Sequence, residues 1–201
     1  MHGNSANPNE MKEFFDSRAE KWDDICTFNQ EKIAALITLA GVQPGKRIAD
    51  IACGTGVLIN ELLSRNPLSV TGIDFSDEMI RIAHGKFSDS RLQLLASNLY
   101  DIHETNFDIA IMFNAYPHFE DKGKLAKQIA SMLKANGRFM VAHGDGRDII
   151  NGCHAGESVS RISWPLRSAQ EESLEFAEYF DIDMAADTSG IYFFSGTKKK
   201  L

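Results

Sequence analysis

The chain has 201 residues, 43% of them hydrophobic and 24% charged, which suits one globular domain with a sizeable core. Its net charge of −7 and sequence pI near 5.4 argue against general binding to nucleic acid or to anionic membrane surfaces, because phosphate recognition starts from a basic surface. No apolar run approaches the ~20 residues that span a bilayer, the start "MHGNSANPNE" lacks the regions of a signal peptide, and Cys26, Cys53 and Cys153 show no CxxC spacing, so a reduced, cytoplasmic protein is expected.

Residues 1–10 read as a flexible polar arm. Residues 10–25, "EMKEFFDSRAEKWDDI", place Met11, Phe14, Phe15, Ala19 and Trp22 at helical spacing and predict one amphipathic helix. A second helix follows over 30–42, closed by Gly41. From there strand and helix alternate. "KRIADIA" is a strand, "GVLINELLSRN" a helix starting at the glycines, and "SVTGIDF" a strand. "SDEMIRIAHGKF" is a helix capped by Ser76, with Asp77 and Glu78 in its first turn. "RLQLLAS" and "FDIAIMFNA" are strands, "DKGKLAKQIASMLKANG" a helix and "GRFMVAHG" a strand. "RDIINGCH" and "SAQEESLEFAEY" are helices, and "FDIDMAAD" with "IYFFSGT" forms a final hairpin around Ser189-Gly190.

This order predicts an α/β fold: a Rossmann-like, doubly wound sheet of about seven strands, mostly parallel, with a C-terminal antiparallel hairpin and helices on both faces. In such folds ligands lie at the C-terminal strand ends. Those ends here are Asp50 to Gly56, Asp74, Ser97 to Leu99, Asn114 to His118, and His143 to Arg147. Gly54 and Gly56 allow a tight turn and close approach of a ligand, and the following helix points free N–H groups at it. Asp74, twenty positions after Gly54, is placed to accept both hydroxyls of a ribose. The string "ACGTGVLI" does not carry the GxGxxG spacing of nicotinamide-dinucleotide sites, which sets an NAD(P)-dependent oxidoreductase aside.

"IADIACGTG" resembles "VLDxGCGTG", the first motif of the class I S-adenosylmethionine (SAM)-dependent methyltransferases, small-molecule type. Ala52 stands where that family has its first glycine, a change that backbone with negative φ accommodates. "VTGIDFSDEMIRIA", "LLASNLYDI", "FDIAIMFNAYPHFED" and "SMLKANGRFMV" resemble the later motifs in order and at ordinary spacing. The resemblance implies one SAM-dependent methyltransferase domain over 1–201, with a helical lid at 11–43 and the core at 46–197. It implies that Asp50 and the backbone of Ala52, Cys53, Gly54 and Gly56 face the methionine part of SAM. Asp74 takes the ribose, Phe75 and Met79 flank the adenine, Asn98 (where the family usually has Asp) and Leu99 lie on its other side, and Asn114 is near the methionine end. Asp50 also has the charge to attract the cofactor's ammonium. A non-catalytic protein that binds SAM or S-adenosylhomocysteine (SAH) is the alternative on the same fold.

The acceptor is less legible. "NAYPHF" has the wrong order for the N-P-P-Y loop of nucleic-acid amino-methyltransferases. His118, His143 and His154 fall where this fold keeps its acceptor, as catalytic bases or as ligands of a divalent metal, although HxH and HExxH spacing is absent. Arg147, Asn151 and His154 recur on one helical face. Tyr116, Arg147, Asn151 and Trp22 are candidate substrate contacts. The expected partner is a small-molecule acceptor, with no nucleic acid and no membrane, for a monomer or homodimer.

Overall fold

Parallel strands covered on both faces need near-continuous apolar runs, and "RIADI", "SVTGID" and "FDIAIMF" supply them. In the computed structural model, which describes residues 8–156 and 159–200, these become β1 (Arg47–Ile51), β2 (Ser69–Asp74) and β4 (Phe107–Phe113). With β3 (Leu92–Ala96), β5 (Leu133–His143), β6 (Phe180–Asp187) and β7 (Tyr192–Lys198) they form one sheet in the order β3-β2-β1-β4-β5-β7-β6. The first five strands pair in parallel, and β7 enters antiparallel between β5 and β6. The predicted α/β sheet with a C-terminal hairpin is therefore the observed one.

Helices cover both faces. α3 (Gln30–Leu39) packs Ile33, Leu36 and Ile37 with Leu62 of α4 (Ile59–Ser64) against Val70, Ile109 and Ile111. On the other face α6 (Lys122–Met132) buries Leu125 and Ile129 with Phe139, while Ala169 of α8 (Ala169–Leu174) joins Phe176 and Phe180. α5 (Asp77–Lys86) sets Ile80 and Ala83 on Ile59 and Leu94. Ser76 caps α5 by accepting from Met79 N–H at 3.1 Å, as its position predicts. Among the described residues no helix is long and apolar enough to cross a membrane.

Besides α8, which ends at Leu174 where the sequence predicts helix to Tyr179, three elements differ from expectation. The N-terminal helix is broken into α1 (Pro8–Asp16), a 3-10 turn (Ala19–Lys21) and α2 (Trp22–Ile25), and this bend lets its aromatic side chains follow a curved cavity wall. α6 stops at Met132, because Leu133 turns extended and pairs with Phe107 at the edge of β4. Local helix propensity over 133–137 is overridden by strand pairing. α4 begins at Ile59, since Gly56 at φ 95° holds the preceding turn out of helical conformation. The first seven residues of the expected arm lie outside the described residues.

The chain lays down β1, β2 and β3 in one direction, then returns to place β4 on the other side of β1. The connections leaving β1 and β4 thus diverge and open a crevice at the C-terminal ends of the strands.

Candidate functional site

The turn after β1 is built around two carboxylates. Asp74, at the end of β2, accepts from Gly54 N–H at 2.8 Å through one oxygen and from Ser76 N–H at 2.9 Å through the other. It therefore fixes the glycine turn against the start of α5 and still lines the adjoining cavity, at 7% exposure. Burial raises its pKa to about 6 against the opposing pull of the Ser76, Gly54 and Phe75 N–H groups, so it is largely ionised at neutral pH. Asp50 lies behind it at 1% exposure, with one oxygen lacking any hydrogen-bond partner. Burial, then the charge of Asp74, pushes its pKa up to about 8.

Gly54 and Gly56 both sit in the left-handed region, at φ 53° and 95°. A Cβ on Gly56 would come within 2.5 Å of Phe87 and 2.7 Å of Ile59, so this glycine permits close packing of the turn against the start of α4 and the end of α5. Ala52 also has positive φ, 55°. The expectation of negative φ there is corrected: the position keeps the backbone geometry for which the family motif has glycine, with an alanine side chain in it.

The cavity over this turn holds about 750 Å³, within the range of small-molecule sites. The N-terminal segment forms one wall. Phe15 packs edge-on to Phe75, Trp22 and His118, at ring-centroid distances of 5.9, 5.6 and 5.1 Å. The segment is tied down by Ser76 Oγ donating to Asp16 (2.5 Å), Thr55 Oγ1 donating to Asp23 (2.5 Å), and the Lys12–Asp77 (2.9 Å) and Lys86–Asp23 (2.7 Å) ion pairs.

At the far end three imidazoles gather. His118 leaves the 3-10 turn after β4, His143 ends β5 and His154 is in the last turn of α7 (Arg147–His154). The His118 and His154 rings are 5.2 Å apart, and all three line the cavity. His118 Nδ1 lies 2.9 Å from the Ile162 carbonyl and His154 Nδ1 lies 2.7 Å from the Ile150 carbonyl. A carbonyl only accepts, so each Nδ1 carries a proton. Burial lowers the pKa of His118 to about 4 and that of His143 to about 3, so both are neutral at physiological pH. Nε2 of His143, 2% exposed, has no hydrogen-bond partner.

Residues 48–137 match the family model described as a methyltransferase domain. That stretch, a little under half of the chain, carries a methyltransferase domain. The chain is 26% identical over 144 residues to a ubiquinone biosynthesis O-methyltransferase of Vibrio cholerae, a match covering 66% of this chain and 58% of that one. This chain thus spans little over half the length of that curated relative. Among solved structures, the putative methyltransferase in complex with the Haloferax volcanii Trm112 methyltransferase activator superposes with TM-score 0.78 at 16% identity, covering 92% of this chain and 98% of that one. Magnesium protoporphyrin IX methyltransferase from Synechocystis PCC 6803, with bound SAH, superposes with TM-score 0.71 at 16% identity, covering 95% and 99%. At such identities these structures show a shared fold.

Within this methyltransferase domain, most of the sequence-predicted cofactor residues stand on the cavity wall: Ala52, Cys53, Gly54, Asp74, Phe75, Met79, Asn98, Leu99 and Asn114. Asp50 and Gly56 do not line it. Asn98 has its side-chain carbonyl engaged, accepting from Tyr100 N–H at 3.0 Å, and Asn114, at φ 54°, accepts from Gly144 N–H at 3.0 Å and so ties the ends of β4 and β5 together. Trp22 is on the wall, whereas Tyr116, Arg147 and Asn151 are not. The Tyr116 hydroxyl donates to Glu172 at 2.8 Å beneath the surface. Arg147 pairs with Asp187 at 3.2 Å, and Asn151 clasps the backbone of Leu166, donating at 3.1 Å and accepting at 2.8 Å. These three are engaged in holding the walls. Among the described residues no group of three or more His, Cys, Asp or Glu side chains is placed to hold a metal ion, and the expected metal role of His118, His143 and His154 is withdrawn. Phe28, Phe119, Cys26, Cys153 and Asp145 also line the cavity. Sequence reasoning missed them because they sit in loops and a helix end, where no periodicity marks an inward face.

Proposed function

We propose that this protein transfers a methyl group from SAM to a small-molecule acceptor bound between the N-terminal segment and α7. The observation that carries the reading is Asp74, pinned by two backbone N–H groups at the C-terminal end of β2 with its carboxylate on the wall of a cavity floored by the Gly54 turn. The residues fit the cofactor. Asp74 would hold the ribose hydroxyls, Phe75, Met79 and Leu99 the adenine, and the Ala52 to Gly54 turn with Asn114 the methionine part. Bound there, SAM supplies an electrophilic methyl group on a sulfonium. The Vibrio relative and the SAH-bound neighbour support methyl transfer to a small molecule.

The chain's own residues position, exclude water and move a proton. Phe15 and Trp22 cover the cavity, and closure over a reacting pair raises effective concentration. His118 holds an Nε2 lone pair fixed by its backbone partner and stays neutral down to about pH 4. A base this weak takes its proton late, once the acceptor atom has gained the methyl and become acidic.

The test measures SAH binding by calorimetry and SAH release from SAM with an acceptor panel. SAH should bind in the micromolar range, about 8 kcal/mol, and Asp74→Ala should weaken it at least ~10-fold by removing a charged acceptor from buried hydroxyls. Unchanged SAH affinity in Asp74→Ala would remove the site assignment. Tight SAH binding with no turnover on any acceptor would favour the non-catalytic alternative.

A further inference from the structure

The mouth of the cavity carries a cysteine on each side. One side is the N-terminal segment and the other is α7. Ile25 and Ile149, 63% and 51% exposed while lining the cavity, mark where each meets solvent. Cys26 follows Ile25 and closes α2, its N–H donating to the Trp22 carbonyl at 2.9 Å. Cys153 stands one turn after Ile149 on α7, so the two share a helical face, and both line the cavity. Cys26 is half-buried and Cys153 is exposed.

Contacts on both sides of Cys26 hold it toward α7. Before it in the chain, Phe15 packs on His118 at 5.1 Å, and His118 packs at 5.2 Å on His154, the neighbour of Cys153. After it, Phe28 packs at 5.4 Å on Phe113, at the end of β4. Lys32 then donates to the Gly144 carbonyl at 2.8 Å, just before α7 starts. Burial first, then Asp23 and Cys153, raise the Cys26 thiol above its usual value, so the two sulfurs stand within electrostatic reach. The backbone can yield at each. Residues 26–29 form no regular element, and Cys153 lies in the last turn of α7 beside Gly152. A disulfide needs Cα atoms about 4.4–6.8 Å apart, an approach that a loop and a helix end can complete without disturbing the sheet. Cys53 differs from both. It is 3% exposed, packed with Ile59, Ile80 and Leu94, and burial holds its thiol well above the usual value, which makes it inert.

We propose that Cys26 and Cys153 form a redox-active pair whose disulfide closes the cavity by stapling the N-terminal segment to α7. The oxidant is hydrogen peroxide. Cys153, the exposed thiol, gives up its proton, and its sulfur attacks one peroxide oxygen. The O–O bond breaks, Cys153 becomes a sulfenic acid, and the other oxygen leaves as hydroxide and takes that proton as water. The Cys26 sulfur then attacks the Cys153 sulfur, the S–O bond breaks, and the leaving hydroxide takes the Cys26 proton as a second water. Two thiols are oxidised and one peroxide is reduced. Cys26, half-buried with a raised thiol, meets the oxidant more slowly and is the resolving partner. The effect on SAM access rests on the reading of the cavity as a methyl-transfer site; the cross-link itself does not.

The test treats the full chain with hydrogen peroxide, maps its peptides by mass spectrometry without reductant, and follows SAH binding and release by tryptophan fluorescence. Free thiols should fall from three to one, with Cys26 joined to Cys153 within a single chain. SAH association and release should each slow at least ~10-fold, because the closed segment bars entry and exit, and dithiothreitol should restore both. Cys153→Ser should form no linked peptide and show the same SAH rates before and after peroxide. If that variant does not fold, the linked peptide of the unaltered chain and its reversal by dithiothreitol decide. Cys153 oxidised to sulfinic acid with Cys26 still free, a bridge between two chains, or a cross-linked chain with unchanged SAH rates overturns the proposal. If the reduced chain does not bind SAH, the methyl-transfer reading fails instead. Closure is then read from hydrogen exchange over residues 11–26, which slows on oxidation if the proposal holds and is unchanged if it does not.

Discussion

Replacing Asp50 by asparagine should stabilise the protein in a pH-dependent way. Asp50 is 1% exposed at the end of β1, flanked in register by Gly72 and Ile111, and one of its oxygens has no partner. Burial first, then the charge of Asp74, raises its pKa from 3.8 to about 8. The folded chain therefore binds this proton more tightly than the unfolded chain does. Between roughly pH 4 and pH 8 the folded state is the more protonated, so stability from this group is lost as pH rises across that window. Each pH unit inside it is worth at most about 1.4 kcal/mol, so from about pH 5 to about pH 8 the upper bound is ~4 kcal/mol. Relaxation around the charge, and the asparagine NH₂ left needing partners, reduce what is observed to about 2–3 kcal/mol. The assay is urea unfolding of the wild type and Asp50→Asn without ligand at about pH 5, 6.5 and 8. Histidine contributions, which weaken the fold as pH falls from 6.5 toward about 4 for His118 and about 3 for His143, are common to both proteins and cancel in the difference. The stability gain of the variant should grow steadily with pH. A difference that stays constant from pH ~5 to ~8 would refute the account of Asp50 as a buried, proton-holding acid.

Two further outcomes follow from the same region. Ala52→Gly should raise the unfolding free energy by about 1 kcal/mol, since an L-residue at φ 55° carries a strain of roughly 1–2 kcal/mol, offset in part by the greater freedom of glycine in the unfolded chain; a loss of stability on chemical denaturation would contradict the strain. The segment from Met11 to Cys26 is held by exposed ion pairs that contribute little each, and by aromatic contacts across the cavity. Its amide hydrogen exchange should slow when SAH is added, and equal protection with and without SAH would make it fixed structure rather than a lid.

The fold was legible because its determinants are local and periodic. The apolar runs of β1, β2 and β4, the capping Ser76 and the glycine turn report strand, helix start and close approach in a window of a few residues. The same windows were blind to competition from afar. Residues 133–137 read as helix, and only the pairing of Leu133 with Phe107 made them strand. Ala52 read as an ordinary substitution, and only the packed turn forced it to positive φ.

The site divides in the same way. Strand-end position marked Asp74, Asn98 and Leu99 as wall residues, because strand ends in a doubly wound sheet face the crevice whatever the side chains are, and the motif resemblance added Phe75 and Met79. It also marked His118, His143 and His154 as neighbours, since β4 and β5 are adjacent and α7 leaves from β5. Tertiary structure alone decided direction and partnership. It turned Tyr116 inward to Glu172, spent Arg147 on Asp187 and Asn151 on Leu166, and brought Cys26 and Phe28 across from the N-terminal segment. It fixed the histidine protons as well, because a tautomer depends on which carbonyl stands beside the ring, and Ile162 reaches His118 from 44 residues along the chain. Periodicity records which face of an element is buried; which polar atom meets which is settled only when distant segments are packed together.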